Sequence, residues 1–499
     1  MKTSARFLLP GLGGLILTLS FAPYSLSLIA WIAFIPLFYS LRDGKYPFLK
    51  GFIMGIAFFS TLLSWIPFSN IEKEIVPQMV AGYFLLLLYL SCYFGFSGML
   101  YDKLRRMKRI YLFPLVFGGL EFLRSLSSVL GFPWGSLGYS QTNLIYFVQF
   151  ASLGGVPLVT FWIISINILL YLLADTYAVK NRPSKNYLYL LIGIIVMPLM
   201  YSGVVILRGY RSPGEITATV LQPNIPPDEK RFSSGRKREE IIKEIILDAS
   251  DSDIYILPET ASPYSLTHSM RTRNFFADLA NRKGGYIITG MPDFDVTNTK
   301  LYHYNAVGLV DSTGITGVYR KMFLVPFVER LPYDDVIPIF KKINLGQGHF
   351  TPGQLFSVFD VGKAKLSVFI CYEAIFPQLI REFVLKGAEI LVNITEDGWF
   401  GKTFAPYQHA EMATFRCIEY RRALLRSANT GVSLIVDPFG RILSRTEIYE
   451  EAQLTGVVPL VEGLTVYARI GDTFGWVFLL FAIGLIFIRL DSNGKKTLP

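Results

Sequence analysis

Three side chains in the second half of the chain are of the types that acyl transfer requires: Glu259, Lys321 and Cys371. A thiol nucleophile needs a base to take its proton and a cation to stabilise the oxyanion that forms when sulfur attacks a carbonyl carbon. A glutamate, a lysine and a cysteine supply these three roles without a histidine. A helix that begins beside Cys371 would also stabilise its thiolate.

Each of the three residues also has an ordinary structural explanation. A cysteine after an apolar strand is usually a small buried side chain. A lysine in a turn is usually solvated, and a glutamate at a strand end is commonly a cap. The set is more specific than its members, because it supplies every role that the chemistry needs.

The elements that must position these residues are short apolar runs typical of buried strands. Glu259 and Cys371 end two of the runs, and Lys321 follows shortly after another. Helical stretches lie between several of them, so an α/β layered fold is predicted. The predicted strands are 216–223, 254–259, 286–292, 304–310, 366–373, 388–395 and 430–437, and the predicted helices are 236–249, 271–283, 374–386 and 407–423.

Long apolar stretches dominate the rest of the chain. A helix needs about 20 residues to cross a hydrocarbon core of ~30 Å, and most of the stretches meet or approach that length. Eight transmembrane helices are therefore predicted. The first stretch is not interpreted as a signal peptide, because no A-x-A site follows it. The stretches are about 7–22, 25–41, 48–68, 77–100, 110–124, 144–173, 187–207 and 474–490.

The stretches predict three parts: a seven-helix membrane domain at 1–207, a soluble catalytic domain at 208–473, and a final helix with a cytoplasmic tail at 474–499. Loops rich in lysine and arginine stay in the cytoplasm. With a cytoplasmic N-terminus, the soluble domain lies outside after an odd number of crossings. The basic residues inside are then Lys2, Arg6, Arg42, Lys45, Lys50, Lys103, Arg105, Arg106, Lys108, Arg109, Lys180, Arg182, Lys185, Arg489, Lys495 and Lys496.

Composition excludes several classes of protein. Hydrophobic residues make up 52% of the chain and charged residues 17%, with a mean hydropathy of +0.40. A disordered or collagen-like chain is excluded, and a purely soluble enzyme is disfavoured. The cytoplasmic loops explain much of the net charge of +10, so no nucleic-acid partner is predicted. Three cysteines cannot form a disulfide framework. The four histidines show no metal-binding spacing, and neither a metal nor a cofactor is predicted.

The order Glu, Lys, Cys, with Cys371-Tyr372-Glu373 at the nucleophile, resembles the nitrilase (carbon–nitrogen hydrolase) superfamily. The resemblance is closer to its membrane branch, the apolipoprotein N-acyltransferase family, and covers most of the chain. Each short motif alone is weak evidence for the family. Their order along a chain with seven predicted membrane helices before the soluble part and one after it is specific for the family. The motifs are SFAPYSLSLIAWIAFIPLF (20–38), EFLRSLSSVLGFPWGSLGYSQ (121–141), LQPNI (221–225), LPET (257–260), YRKMFLVPFVERLP (319–332), ICYEAIFP (370–377), DGWFG (397–401), PYQHAEMATFRCIEYRRALLRSANTG (406–431) and DPFG (437–440).

The resemblance implies an αββα sandwich on the periplasmic side of a bacterial inner membrane and acyl transfer in two steps. Cys371 would take the sn-1 acyl chain of a phospholipid, typically phosphatidylethanolamine, as a thioester. The α-amino group of a diacylglyceryl-cysteine at a lipoprotein N-terminus would then receive that chain. By position, Glu259 corresponds to the general base and Lys321 to the cation that stabilises the oxyanion.

The resemblance also implies a set of supporting residues. Glu329 corresponds to the second glutamate of the family. Tyr372 and Glu373 stand beside the nucleophile as they do in the family. Asn305 and Trp399 match family positions near the site. The chain departs from the family pattern around the expected acyl-chain entrance, at Pro223, Arg231, Val328 and Arg330.

Two other functions fit some of these features. A membrane-tethered amidase would use the same three residues and transfer the acyl group to water. A transporter would need ionisable residues or broken helices in several spans, whereas intramembrane charge is confined mainly to Glu121 and Arg124. Seven preceding helices are hard to explain for a small soluble amide, so the acyltransferase is favoured.

Three features outside the predicted catalytic set have structural interpretations. Glu121 and Arg124 stand at i,i+3 spacing, which lets them pair, and a positioning role is favoured for them. The aromatic and glycine-rich segment 131–139 either lines a lipid entrance or belongs to an interfacial aromatic belt. His409, near the start of a predicted helix, is interpreted as a structural hydrogen-bonding residue.

Overall fold

A computed structural model describes residues 5–70, 73–127, 129–226, 229–230, 234–297, 300–334, 336 and 348–488. The predictions made for Lys2, Arg231 and the basic tail after residue 488 lie outside these described residues.

The N-terminal part of the chain is a bundle of apolar helices. Among the described residues, four helices are long and apolar enough to cross a membrane: Pro47–Phe68, Val76–Arg106, Ala151–Lys180 and Lys185–Arg208. Three apolar helices are shorter: Arg6–Thr18, Ile110–Leu123 and Thr473–Phe487. The α-helices before the α/β part are α1 (Ala5–Thr18), α2 (Ile35–Ser40), α3 (Pro47–Leu62), α4 (Val76–Arg106), α5 (Phe113–Leu123), α6 (Ile145–Val148), α7 (Ala151–Lys180) and α8 (Lys185–Arg208).

The apolar stretch 25–41 is not one continuous helix. It is divided between a 3-10 turn, Ser27–Trp31, and the short α2, in whose first turn a proline stands. Asn167 of α7 compensates the interrupted backbone, because its side chain accepts from the Phe34 N–H at 3.0 Å and donates to the Ala30 carbonyl at 2.8 Å. A broken segment is tolerated inside a membrane bundle when neighbouring helices satisfy its polar groups. The total of eight crossings stays a prediction.

The α/β part contains two six-stranded sheets within the described chain. The strands of the first sheet run in the order β12-β1-β2-β3-β4-β5, and those of the second in the order β11-β10-β9-β8-β7-β6. The strands are β1 (Glu215–Gln222), β2 (Ile254–Ile256), β3 (Tyr286–Thr297), β4 (Lys300–Asp311), β5 (Gly314–Arg320), β6 (Val358–Asp360), β7 (Lys365–Ile370), β8 (Ile390–Thr395), β9 (Ala423–Ala428), β10 (Leu434–Val436), β11 (Ile442–Arg445) and β12 (Ala452–Pro459).

Residues of the first sheet alternate between two apolar cores. Ile254 and Ile256 of β2 belong to the large core that also contains the second sheet. Tyr255 and Leu257 pack on the other face. That face is covered by α9 (Gly235–Asp248) and α10 (Met270–Lys283), whose apolar residues share the same core. The alternation arises because successive side chains of a strand point to opposite faces of the sheet.

Two helices cover the second sheet, α11 (Pro377–Leu385) and α12 (Ala405–Tyr420). The layers are therefore helix, sheet, sheet, helix, and the predicted αββα sandwich is confirmed. After β12, the short α13 (Val466–Ile470) leads to α14 (Thr473–Phe487), which returns to the helical bundle. There α14 packs closely on α5 at Gly119. A side chain at that position of α5 would not fit, because its Cβ would lie 2.5 Å from the carbonyl oxygen of Phe478 in α14.

Most predicted elements of the α/β part have different bounds in the structure, and two of these differences lie on either side of β9. The helix predicted at 407–423 ends at Tyr420, because Arg421 adopts a left-handed backbone with φ of 52°. The chain then enters β9, which was not predicted. The strand predicted at 430–437 is confined to Leu434–Val436.

Candidate active site

Cys371 lies at the sharp turn where β7 ends. Its backbone is left-handed, with φ of 51°, and it begins a five-residue 3-10 helix, Cys371–Ile375, here called the nucleophile turn. A left-handed conformation is uncommon for a residue with a Cβ and is found at functional turns. Cys371 is 9% exposed. The second sheet therefore presents the thiol at the end of a buried strand.

Glu259 follows β2 of the first sheet. Its carboxylate accepts a hydrogen bond from Nδ2 of Asn305 at 2.7 Å and one from the Glu396 N–H at 2.8 Å. Asn305 belongs to β4 in the same sheet, whereas Glu396 follows β8 in the facing sheet. The predicted base is thus held from both sheets.

Lys321 follows β5 directly, and its N–H donates to the Asn305 carbonyl at 2.8 Å. Its Nζ lies 2.9 Å from Glu329 and 3.7 Å from Glu259, and the residue is 1% exposed. Asn305 also donates to Glu329, at 3.0 Å. Glu329, implied by the resemblance alone, is therefore the ion-pair partner of the buried lysine.

Burial and neighbouring charges set the protonation states of these residues. Burial lowers the pKa of Lys321, but the carboxylates of Glu329 and Glu259 outweigh that effect and raise it. Burial raises the pKa of Glu259 by more than the charge of Lys321 lowers it. Burial, followed by the charge of Glu259, raises the pKa of Cys371. The cluster at rest therefore contains an ammonium and a neutral thiol.

The expectation that a helix start stabilises the Cys371 thiolate is wrong. The nucleophile turn is a single short 3-10 helix, and burial beside the Glu259 carboxylate dominates the thiol's protonation. For Cys371 to act as the predicted nucleophile, its thiol proton must pass to a general base, the role predicted for Glu259.

Glu373 ties the nucleophile turn to the loop that carries Lys321. It is fully buried, and burial raises its pKa to about 6 in spite of the hydrogen bonds that it accepts. Both oxygens of its carboxylate are used. The donors are the Tyr319 hydroxyl at 2.7 Å, the Met322 and Phe323 N–H groups at 2.7 and 3.1 Å, and the Ile370 N–H at 2.7 Å.

The segment 131–139 of the helical part contacts the nucleophile turn. The Tyr372 hydroxyl donates to the Gly131 carbonyl at 3.3 Å. Arg124 donates to the Trp134 carbonyl at 2.7 Å and lies 3.8 Å from Glu121. The predicted pairing of Glu121 and Arg124 is present, and it supports a segment that lies against the site.

Trp399 is 53% exposed, unlike the other predicted site residues. Its carbonyl accepts from the Asn70 N–H at 2.8 Å, in the loop after α3. Among the departures from the family pattern, Pro223 is buried and Val328 is 45% exposed. Arg330 pairs with Asp334 at 2.6 Å. Arg231 lies outside the described residues.

Sequence reasoning missed two residues behind the nucleophile, Asp397 and Arg426. They pair at 2.7 Å with their side chains fully buried. Ligand atoms of Cys371, Asp397 and His409 lie within 4.8 Å of one another, but the guanidinium of Arg426 already compensates the carboxylate, which disfavours a metal cation there. The arginine in an apolar strand was the available signal, since a buried cation requires a buried partner.

Comparison of the sequence with known proteins identifies the family of this chain. Residues 13–169 match the model of the apolipoprotein N-acyltransferase N-terminal domain, and residues 217–462 match the carbon–nitrogen hydrolase model. The apolipoprotein N-acyltransferase of Geobacter metallireducens is 33% identical over 94% of this chain and 92% of its own length. Those of Chlorobaculum tepidum and Thermotoga maritima are 30% and 29% identical, over 94% and 96% of this chain and 93% and 92% of their own lengths. Because the similarity runs through both the apolar helices and the α/β sandwich, this chain belongs to the apolipoprotein N-acyltransferase family.

Proposed function

We propose that this membrane protein transfers the sn-1 acyl chain of a phospholipid to the N-terminal amine of diacylglyceryl-lipoproteins, through a thioester on Cys371. One observation carries the proposal. A buried thiol, base and cation meet at a turn that is bonded directly to a segment of the apolar helical bundle, through Tyr372 and Gly131. The nucleophile therefore lies beside the apolar part of the chain, the side from which a substrate in the bilayer would approach.

In the first half-reaction, Glu259 takes the proton of the Cys371 thiol as the sulfur attacks the ester carbonyl carbon. The ammonium of Lys321 compensates the oxyanion that forms. The carbon–oxygen ester bond then breaks, and the proton on Glu259 passes to the departing alcohol oxygen. A thioester and a lysophospholipid result.

In the second half-reaction, the acceptor ammonium first loses a proton to solvent, and the neutral amine attacks the thioester carbon. Glu259 takes a proton from the attacking nitrogen while Lys321 again faces the oxyanion. The carbon–sulfur bond breaks, and the proton passes from Glu259 to the sulfur. An amide forms and the Cys371 thiol is restored.

The proposed donor is phosphatidylethanolamine, and the proposed location is the bacterial inner membrane with the sandwich on the periplasmic face. Contacts between the two parts of the chain support this topology. Ser25, after α1, donates to Glu411 at 2.8 Å, and Asn70, after α3, donates to Trp399. The C-terminal ends of α1 and α3 are therefore on the side of the sandwich.

The broken segment 25–41 fits a crossing in the opposite direction. It begins beside Ser25 on the sandwich side, and Asp43, just beyond its end, pairs with Arg6 at the start of α1 at 2.8 Å. Basic residues occupy the last turn of α4, the end away from the sandwich. Their position agrees with a cytoplasmic side rich in positive charge.

The alternative of an amidase that transfers the acyl group to water is tested by the same experiment as the proposal. Purified protein is incubated with phosphatidylethanolamine that carries different chains at sn-1 and sn-2, and intact mass is measured. We expect an sn-1 acyl adduct on Cys371 that persists in water and is discharged by a diacylglyceryl-cysteine peptide. Rapid discharge without the peptide would favour the amidase, and absence of any adduct would refute both.

A further inference from the structure

Behind the nucleophile, three buried side chains form a connected polar cluster: Arg426 of β9, Asp397 after β8 and His409 of α12. Each is at most 1% exposed. Nη2 of Arg426 donates to Asp397 at 2.7 Å and lies 3.2 Å from Nδ1 of His409. On the far side of the imidazole ring, Nε2 lies 3.1 Å from the carbonyl oxygen of Cys371. The proton transfers proposed above use none of the three.

The neighbours of His409 determine which ring nitrogen carries the proton. The Cys371 carbonyl oxygen can only accept, so Nε2 carries a hydrogen. Nδ1 faces both an acceptor, Oδ1 of Asp397 at 3.1 Å, and a donor, Nη2 of Arg426 at 3.2 Å. The bond to Cys371 therefore requires a hydrogen on Nε2 whichever of these two groups Nδ1 engages. Burial, followed by the charge of Arg426, lowers the pKa of His409, in agreement with a neutral ring.

Arg426 is itself fixed in place. Its Nε donates to the Val432 carbonyl at 3.1 Å, and its Nη1 donates to Asn393 of β8. Trp134, from the segment 131–139 between α5 and α6, stacks on a face of the His409 ring, with centroids 5.8 Å apart and planes 29° apart. The ring is thus held between the sandwich and the membrane helices.

Cys371 needs an external partner because its backbone is strained. A non-glycine residue with φ of 51° persists only where surrounding groups hold it there. The carbonyl of the same residue is the group that His409 binds. A change in that bond would alter the direction of the thiol without removing any group that takes part in the chemistry.

We propose that His409 is a positioning residue, whose Nε2–H bond to the Cys371 carbonyl holds the nucleophile turn in the conformation that presents the thiol to Glu259 and Lys321. Asp397 and Arg426 hold the other ring nitrogen, Nδ1, at 3.1 and 3.2 Å, and so fix the orientation of the ring. The inference rests on the proposed function, since it concerns the rate at which the thioester forms.

The test compares His409→Gln with His409→Asn in the full-length protein. The glutamine amide nitrogen reaches the position of Nε2 and can still donate to Cys371. The asparagine amide is one methylene shorter and reaches only the position of Nδ1. We expect His409→Gln to form the acyl-enzyme within ~10-fold of the wild-type rate. His409→Asn should be slower than His409→Gln by about 5–150-fold, the rate equivalent of the strain at one left-handed residue.

Two further readouts separate positioning from a general structural role. The KM for phospholipid and the melting profile in detergent should be the same in both variants, and only the acylation rate should differ. Equal rates in two folded variants, or loss of folding in both, would overturn the inference. A wild-type protein that forms no acyl-enzyme would instead refute the proposed function.

Discussion

Replacement of Lys321 by methionine tests how the buried ion cluster works. Methionine retains most of the side-chain volume but removes Nζ, which lies 2.9 Å from Glu329 and 3.7 Å from Glu259. Asn305 donates to both carboxylates, at 2.7 and 3.0 Å, so they remain close together without a countercharge. Two carboxylates that share one site cannot both ionise easily, and one of them takes up a proton.

The expected loss of acylation rate in Lys321→Met has two components. Removal of an oxyanion donor typically costs ~10²–10³ in rate, or about 2.7–4 kcal/mol. The charge of Lys321 also lowers the pKa of Glu259, so its removal leaves the base more protonated. Loss of a general base costs ~10²–10⁴. We therefore expect acylation to fall by more than ~10³-fold, and the free energy of unfolding to fall by ~3–5 kcal/mol because a buried ion pair has lost one partner.

The assay is single-turnover acyl-enzyme formation, with melting in detergent measured in parallel. The matched control is Lys321→Met combined with Glu329→Gln, which removes one of the two uncompensated carboxylates. We expect the double variant to regain stability and part of the rate, because Glu259 can ionise again. Its rate should remain at least ~10²-fold below wild type, because the oxyanion donor is still missing. Wild-type acylation in the double variant would refute the oxyanion role of Lys321.

Three further outcomes follow from the proposed site. Cys371→Ser should abolish thioester formation, whereas Cys92→Ala, at a free cysteine within α4, should leave the acyl-enzyme intact by mass analysis; turnover in Cys371→Ala would show that another group is the nucleophile. Because burial raises the pKa of Glu259 and the base must be ionised, acylation should fall with decreasing pH at values above the usual range of a glutamate near 4.3, and a rate unchanged down to pH ~4.5 would contradict this. A periplasm-dependent reporter fused after Arg211 should be active and one fused within 101–109 should be silent; the reverse pattern would overturn the proposed orientation.

The strands that carry the proposed catalytic residues could be predicted from the sequence, but β9 could not. Runs such as 254–259 and 366–373 are nearly continuous in apolar residues, which is typical of buried strands. β9 has an arginine in its middle, and the preceding helical pattern was extended into it. Arg426 is accommodated because Asp397, 29 positions away in the chain, pairs with it inside the fold. Only the tertiary structure supplies that partner.

Hydropathy predicted where the apolar stretches lie but not whether each is a single helix. The segment 25–41 is predominantly apolar, yet its backbone is interrupted, and the compensating amide comes from Asn167 on another helix. The protonation states of the site residues could not be predicted from the sequence either. The state of the Cys371 thiol depends on burial and on a carboxylate from the facing sheet, and neither can be read from the residues beside it.

The choice between water and an amine as acyl acceptor is not made by the proposed catalytic residues, because Glu259 and Lys321 would do the same work for either. The discriminating element must therefore lie in what surrounds the thioester. On one side this is the apolar bundle, which contacts the nucleophile turn at Tyr372 and stacks Trp134 on His409. These contacts place aromatic side chains beside the turn that would carry the acyl group. Trp134 itself is 3% exposed, but Pro133, Ser136 and Tyr139 of the same segment line a cavity between α5 and α7. An acceptor that brings its own lipid can bind such an apolar wall, and water has no comparable affinity for it. Acceptor selection is thus expected to reside in the segment 131–139.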